Sequence, residues 1–464
     1  MHETECAQRK YESAVNSWEY RKKHIRQLAN FLSAIFSLIG CGMSISFLYY
    51  ASITRRLTNE ILYHFYGGII VGVILTSVLL SIFPKKFLYI SCGVLSILTG
   101  TVIVRYEEVP ISDYTTPQIS IDGALYFVGF TFGITILTYI THCGEISTKY
   151  LRGSICSFIQ FAIDLGLLIG ISIIVIINND YINLSRSIYI IIGTFTIIIG
   201  VYAIITAKLF VYESPLVLLE NYHVEKATNA LMKLRNETDP SNPEINNEME
   251  HMRTMLENKS NSILKCSDMK PAFKILLCRY SYSLAASATT TTMIFRFLNY
   301  NLDYKIILML FGRFIFNFIP IYAIDIKGRL PILKVSITGS ALFLIISILV
   351  YIFAKLYHYK SKYIEFFIMV TLIIYNIFLG CGSSSVGYTY MSEHWNYYRK
   401  HHVNTLIIIL EYAPLILLNF FGNSGFGILV ISSLLQFISG GIAIFLLPET
   451  KGRSLLDIQS LRQK

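Results

Sequence analysis

The sequence predicts an all-α integral membrane protein of twelve transmembrane helices arranged as two pseudo-symmetric halves of six. Three observations predict it. Of 464 residues, 54% are hydrophobic and only 15% charged, and mean hydropathy is +0.54, outside the balance of a water-soluble domain. Apolar runs of about twenty residues recur along nearly the whole chain, and at about 1.5 Å per residue such a helix crosses the roughly 30 Å hydrocarbon layer. A polar middle stretch divides these runs into two groups of six. Backbone groups in lipid need partners within the structure, which leaves helices or a closed barrel. Barrel strands alternate apolar and polar residues, whereas these runs are continuously apolar.

Residues 1–30 carry Arg9, Lys10, Arg21, Lys22, Lys23 and Arg26. They are too long and polar to begin a cleaved signal peptide, and read as a cytosolic tail. Runs near 31–50, 61–82, 86–104, 120–143, 153–177 and 187–208 make a first bundle over 31–208. The stretch 209–271, with Asp239-Pro240-Ser241-Asn242-Pro243, reads as a cytosolic linker. Within it, Lys226 to Leu234 spaces small and apolar residues as a helix does, so short helices beneath the membrane are expected, tethering the halves. Runs near 272–298, 304–324, 331–354, 363–391, 403–422 and 424–447 make a second bundle over 272–447, followed by a cytosolic tail, 448–464.

The formal net charge of +10 does not point to nucleic acid, because the basic residues gather in the tail and between apolar runs. With a cytosolic N terminus, the loops holding Lys85 and Lys86, Lys149 and Arg152, Lys327, Arg329 and Lys334, Arg399 and Lys400, and Lys451 and Arg453 all fall inside. Arg55, Arg56, Lys355, Lys360 and Lys362 fall outside, so the rule holds as a bias. Asn183-Leu184-Ser185, a glycosylation sequon, lies in a loop expected outside. The eight cysteines (Cys6, Cys41, Cys92, Cys143, Cys156, Cys266, Cys278 and Cys381) show neither a disulfide framework nor zinc spacing. His142, His394, His401 and His402 sit near helix ends, and no nucleophile with a base accompanies them, so neither enzyme chemistry nor a cofactor or metal is expected.

Several stretches at loop edges carry a resemblance. Gly129, Gly133, Glu145 and Arg152-Gly153 surround the fourth run and its following loop. Glu213-Ser214-Pro215 with Leu218-Leu219 follows the sixth, and Pro448-Glu449-Thr450-Lys451-Gly452-Arg453 follows the twelfth. Asp325-Ile326-Lys327-Gly328-Arg329 separates the eighth and ninth. Together these resemble the sugar porters of the major facilitator superfamily, as a divergent member. The resemblance implies the major facilitator fold and ion pairs that hold the cytosolic helix ends in one conformation and release them in the other. The residues implied for that gate are Glu145 with Arg152, Glu393 with Arg399, Asp325 with Arg329, and Gly153, Glu213, Gly328 and Glu449. The corresponding first-half loop, Ser81 to Lys86, has lost the acid and the glycine and keeps only basic residues, which argues against a symmetric clasp.

The solute site departs further from the family. Gln160 occupies the place of a helix-five Gln that binds sugar hydroxyls. In helix seven the expected Gln pair is absent, with Tyr280-Ser281-Tyr282 and the hydroxyls of Thr289 to Thr292 instead; helix ten reads Gly382-Ser383-Ser384-Ser385-Val386-Gly387-Tyr388. Asp164, Arg313 and Glu411 lie deep in apolar runs, where an Asp or Arg facing lipid costs roughly 2.5–3.5 kcal/mol on insertion scales, so each should face a cavity or a partner. Gln160 and Asp164, four residues apart, share a helix face. Asp164 is expected to pair with Arg313 near the midplane, with Glu411 close enough to compete. Candidate solute-binding residues are therefore Gln160, Asp164, Arg313, Tyr388 and Glu411.

The function expected is alternating-access transport of a small polar organic solute such as a sugar, by a monomer in the lipid bilayer of the plasma membrane. Helix one carries no acid over Ile35 to Ser46, which favours facilitated diffusion over proton symport. The alternatives are an organic-ion carrier of the related group and a sensor that keeps the fold without transporting.

Overall fold

The computed structural model describes residues 18–53, 60–105, 116–179, 185–257, 266–286, 304–356, 362–395, 397–420, 425–455 and 457–458. Helices one to six are Leu32–Ile53, Glu60–Ile82, Lys85–Arg105, Thr116–Ile146, Arg152–Asn179 and Ser185–Phe210. Helices seven to twelve are Cys266–Ala286, Tyr304–Lys327 (broken at Asn317), Arg329–Leu356, Lys362–Glu393 (broken at Cys381-Gly382), Lys400–Phe420 and Gly425–Leu446. Large apolar side chains such as Leu98, Tyr202, Leu349, Phe353 and Phe437 remain exposed on helices three, six, nine and twelve, as a lipid-facing belt requires. The sequon at Asn183, the basic residues Arg55, Arg56 and Lys360, and the hydroxyl run Thr289 to Thr292 lie outside the described residues.

Helices two and four, one and five, and three and six pack as pairs in the first half. The signature glycines explain one of these contacts: a Cβ on Gly129 would lie 2.0 Å from the carbonyl oxygen of Phe65, and one on Gly133 2.5 Å from that of Ile69. Only glycine lets the backbones approach this closely.

The expected linker helices are present as Pro215–Glu220, Val224–Arg235 and Pro243–Glu257. Val224–Arg235 buries Ala227, Ala230, Leu231 and Leu234 along one face, and ends at Asn236, whose left-handed φ of 55° is one that Asn tolerates. The linker has a small core of its own, Leu216, Leu219, Leu231, Ile245, Met249 and Met252. Arg235 fastens it to the bundle, donating from Nη1 to the Ile146 carbonyl at 2.9 Å while pairing with Glu248 at 2.9 Å. The face bearing these helices is the linker end.

The N-terminal segment docks there too. The Gln27 carboxamide accepts from the Thr148 amide at 3.2 Å, and its Nε2 donates to His24 Nδ1 at 3.1 Å, a bond that needs an unprotonated Nδ1. Burial, then the charges of Arg235 and Lys23, push the His24 pKa down from 6.5 to about 4, against a smaller opposing effect of Glu237. The folded-state pKa lies below the unfolded one, so the docking is fully stabilised above pH 6.5 and weakens as pH falls toward 4. Hydrogen exchange of residues 20–30 should lose protection across that window, and a His24→Gln variant should not show the dependence.

Candidate functional site

Two layers of polar side chains lie between the halves, one at the linker end and one deeper among the apolar helices. At the linker end Lys85, buried at the start of helix three, places Nζ 2.7 Å from Glu145 and 3.8 Å from Glu213. Glu145 is thus paired with Lys85 and not with Arg152 as the motif suggested. The turn Ser147 to Leu151 reverses the chain between helices four and five, which carries Arg152 away from Glu145 toward the other half. There Arg152 Nη1 lies 3.7 Å from Glu393. The first-half loop that lost its acid and glycine still takes part, through Lys85.

Glu393, at the end of helix ten, is likewise corrected. Its carboxylate receives Arg329 Nη2 at 2.8 Å and the Thr450 hydroxyl at 2.7 Å, as well as Arg152, in place of the expected Arg399. Arg399 is buried in the short 3-10 turn Tyr397–Arg399. Asp325 pairs with Arg329 at 3.1 Å as expected. It also reaches across the halves, accepting from the amides of Gly153 (3.1 Å) and Ser154 (2.7 Å) and from the Ser154 hydroxyl (2.8 Å). A carboxylate from one half thereby caps the helix start of the other, where unpaired amides and the helix dipole favour negative charge. Gly153 leaves the room: a Cβ there would lie 2.6 Å from the Asp325 carboxylate. Glu449 does the same for helix nine, accepting from the Arg329 and Leu330 amides at 3.0 and 2.9 Å, just after Gly328 turns the chain at φ 103°.

Deeper, helices one, two, four and five of the first half and seven, eight, ten and eleven of the second surround a chamber of about 90 Å³, lined by Phe65, Tyr66, Phe132, Gln160, Tyr282 and Tyr388 among others. Asp164 and Arg313 meet across the halves with two contacts, 2.6 and 2.9 Å, as the sequence led one to expect. Asn317 donates to the same carboxylate at 2.7 Å, and Arg313 donates to the Tyr282 hydroxyl. The helix break supplies Asn317: Pro320 has no amide for the Phe316 carbonyl, so the helix yields one residue after it. Phe161 packs against Phe314 and Phe318, with ring centroids 5.0 and 5.1 Å away, fixing helix five on helix eight.

Glu411 does not compete for Arg313. It is held by Arg279 in a two-pronged pair, 2.7 and 3.0 Å, and both side chains are buried. Arg279 also donates to the Ser384 hydroxyl at 3.1 Å and lies over the Tyr388 ring at 3.8 Å. Ser384 in turn donates to Gln160 at 2.8 Å, so a chain of contacts runs from helix five through ten and seven to eleven. The sequence reading passed over Arg279, although its place well inside the 272–298 run was the same signal that selected Arg313. Each predicted solute-site residue is therefore in or beside the chamber, and every ionisable one has a partner of opposite charge.

The break in helix ten makes this possible. Without the prolines of the family pattern, the chain turns at Gly382 with φ 132°, a conformation open to glycine at little cost. The second half of the helix then starts at Ser383, presenting Ser384 to Gln160 and Arg279. Gly382→Ala is expected to cost roughly 1–3 kcal/mol of stability from the backbone alone. A Cβ would also meet Ile332 at 2.6 Å. Thermal unfolding of the solubilised variant checks this, and an unchanged midpoint would contradict it.

Residues 57–461 match the family profile described as sugar (and other) transporter. No curated protein matches the chain. Among solved structures, the proton:xylose symporter XylE bound to 6-bromo-6-deoxy-D-glucose superimposes with a TM-score of 0.75 at 15% identity, over 95% of this chain and 100% of that one. The inward-open xylose transporter XylE from E. coli gives 0.67 at 16% identity, over 94% and 99%. The human organic anion transporter MFSD10 gives 0.55 at 12% identity, over 92% and 99%. These likenesses establish the major facilitator fold, twelve helices in two halves.

Proposed function

Since the chain belongs to the sugar (and other) transporter family and is a multi-pass membrane transporter, we propose that it moves a small polar solute, a sugar, by alternating access and facilitated diffusion. The observation that carries this reading is the chamber between the halves, shut at the linker end by contacts that cross from one half to the other. Arg152 with Glu393 and Asp325 with Gly153 and Ser154 form that closure. Their exchange for water would open the linker end, and rocking of the halves about the chamber would expose the solute to each side in turn. Gln160, Ser283 and the tyrosine hydroxyls supply neutral hydrogen-bonding groups, and Tyr66, Phe132, Tyr388 and Tyr412 supply ring faces for a sugar's apolar side.

The case for facilitated diffusion is the absence of acid from helix one, Leu32–Ile53, together with the pairing of Asp164 and Glu411 by arginines. The positive-inside bias supports a cytosolic linker end and cytosolic termini, and a single chain encloses the whole chamber, which supports a monomer; the plasma membrane is the location proposed. A second reading, an organic-anion carrier, is favoured by one feature: two arginines, Arg279 and Arg313, border the chamber.

Uptake of labelled sugars, polyols and organic anions into proteoliposomes, with and without a proton gradient, tests both. Sugar uptake that equilibrates and ignores the gradient is expected. Accumulation driven by the gradient would replace diffusion with symport, anion uptake alone would favour the second reading, and no uptake of any solute would leave a sensor.

A further inference from the structure

Two thiols that no part of the transport cycle uses lie together at the linker end. Cys143, near the end of helix four, and Cys156, in the first turns of helix five, have their sulfurs 3.3 Å apart, and neither is exposed. Cys143 Sγ also lies 3.3 Å from the Ser147 hydroxyl, and Cys156 Sγ lies 3.5 Å from the Ser392 hydroxyl of the other half. The stretch they bracket holds Arg152, Gly153 and Ser154, which cross to the other half in the closure, and Glu145, which pairs with Lys85.

We propose that Cys143 and Cys156 are a peroxide-responsive dithiol, whose oxidation to a disulfide staples the ends of helices four and five and slows opening of the linker end. A disulfide needs sulfurs about 2.05 Å apart, so the 3.3 Å separation leaves little more than an ångström to close. Both sulfurs are fully buried, but a cavity of about 720 Å³ between the bundle, the linker helices and the N-terminal segment is lined by Gly144, the neighbour of Cys143, and by Ser147 and Arg152, which touch its sulfur, so a small oxidant needs only these residues to give way. Lys400 Nζ packs against Gly144, the residue next to Cys143, and positive charge near a thiol favours its reactive thiolate.

The oxidant is hydrogen peroxide. The Cys143 thiolate attacks one peroxide oxygen, a sulfur–oxygen bond forms as the oxygen–oxygen bond breaks, and hydroxide leaves to become water with the proton lost by the thiol. Cys156 then attacks the sulfenic sulfur, the sulfur–sulfur bond forms, and the hydroxyl departs with the second thiol's proton as another water. Two thiols lose two electrons and the peroxide gains them. The disulfide withdraws the Cys156 thiol from Ser392 and closes the clasp loop into a ring, which restricts the change of partners that opening requires.

The full-length protein in lipid is treated with hydrogen peroxide, its remaining thiols are alkylated, and it is digested and examined by mass spectrometry. A cross-linked peptide joining positions 143 and 156, two hydrogens lighter than its parts and released by dithiothreitol, is expected. Cys143→Ser and Cys156→Ser should each lack it. Unmodified thiols after treatment, or separate oxidation of each cysteine to sulfinic acid, would overturn the proposal. Uptake of the solute found for the carrier should fall several-fold on oxidation of the wild type, return with dithiothreitol, and stay unaffected by peroxide in both variants. Unchanged uptake with a full cross-link would overturn the regulatory part. The cross-link is read without any transport, so failure of the proposed carrier function leaves this outcome legible on its own.

Discussion

Asp164→Ala is expected to abolish most transport and to lower thermal stability together. The substitution leaves the Arg313 guanidinium buried, with Tyr282 as a hydrogen-bond acceptor but without the carboxylate that neutralises it. It also takes the acceptor from Asn317. Breaking a buried pair by removing one partner costs about 3–5 kcal/mol. Because Asp164 and Arg313 come from opposite halves, much of that cost falls on the state in which the halves meet around the chamber. A drop in uptake on the order of 100-fold is equivalent to about 2.7 kcal/mol in rate, within reach of the pair. Arg313→Ala should behave alike. The swapped pair, Asp164→Arg with Arg313→Asp, should recover part of both properties and no more, since the Asn317 amide and the Tyr282 hydroxyl are placed for the original charges. Proteoliposome uptake and thermal unfolding read the outcome. Should the swap recover neither uptake nor folding, the two residues act separately.

Much of this site could be read from the sequence, and the part that could not has a physical cause. A charge inside an apolar run is costly enough that it announces itself, and Asp164, Arg313 and Glu411 were all found that way. What the rule gives is a list of charges needing partners, and partner choice depends on how the helices are rotated. Glu411 went to Arg279 rather than Arg313 because helices seven and eleven face each other over Ser384 and Tyr388. The clasp shows the same limit. Motif neighbours such as Glu145 and Arg152 are close in sequence, yet the turn between helices four and five sends them to different partners. Asp325 with Arg329 was legible because four residues on adjoining helix ends leave little choice of geometry. The break at Gly382 was harder to see without the family's prolines, since a glycine among serines does not announce a positive φ.

Asp325→Ala is expected to shift the protein strongly toward a state open at the linker end. In the closed arrangement this one carboxylate holds three donors at the start of helix five and pairs with Arg329. On opening, the Gly153 and Ser154 donors turn to water, so their bonds to Asp325 count toward closure alone. Hydrogen bonds to charged groups are worth about 1.5–3 kcal/mol each, and water recovers part of that for the freed groups. A net loss of about 2–3 kcal/mol changes the open-to-closed ratio by roughly 30- to 150-fold. Arg329 keeps Glu393 and Glu449 keeps the start of helix nine, so the second half should fold unchanged, and the effect should appear as a change of state rather than as unfolding. Asp325→Asn, which retains one acceptor oxygen without the charge, should fall between the two. Spin labels at the exposed positions Phe83 and Lys327, one on each half, report the separation of the linker ends. A longer distance in Asp325→Ala, with Asp325→Asn between, is the expected order; equal distances in all three proteins would mean that closure rests on contacts other than this cap.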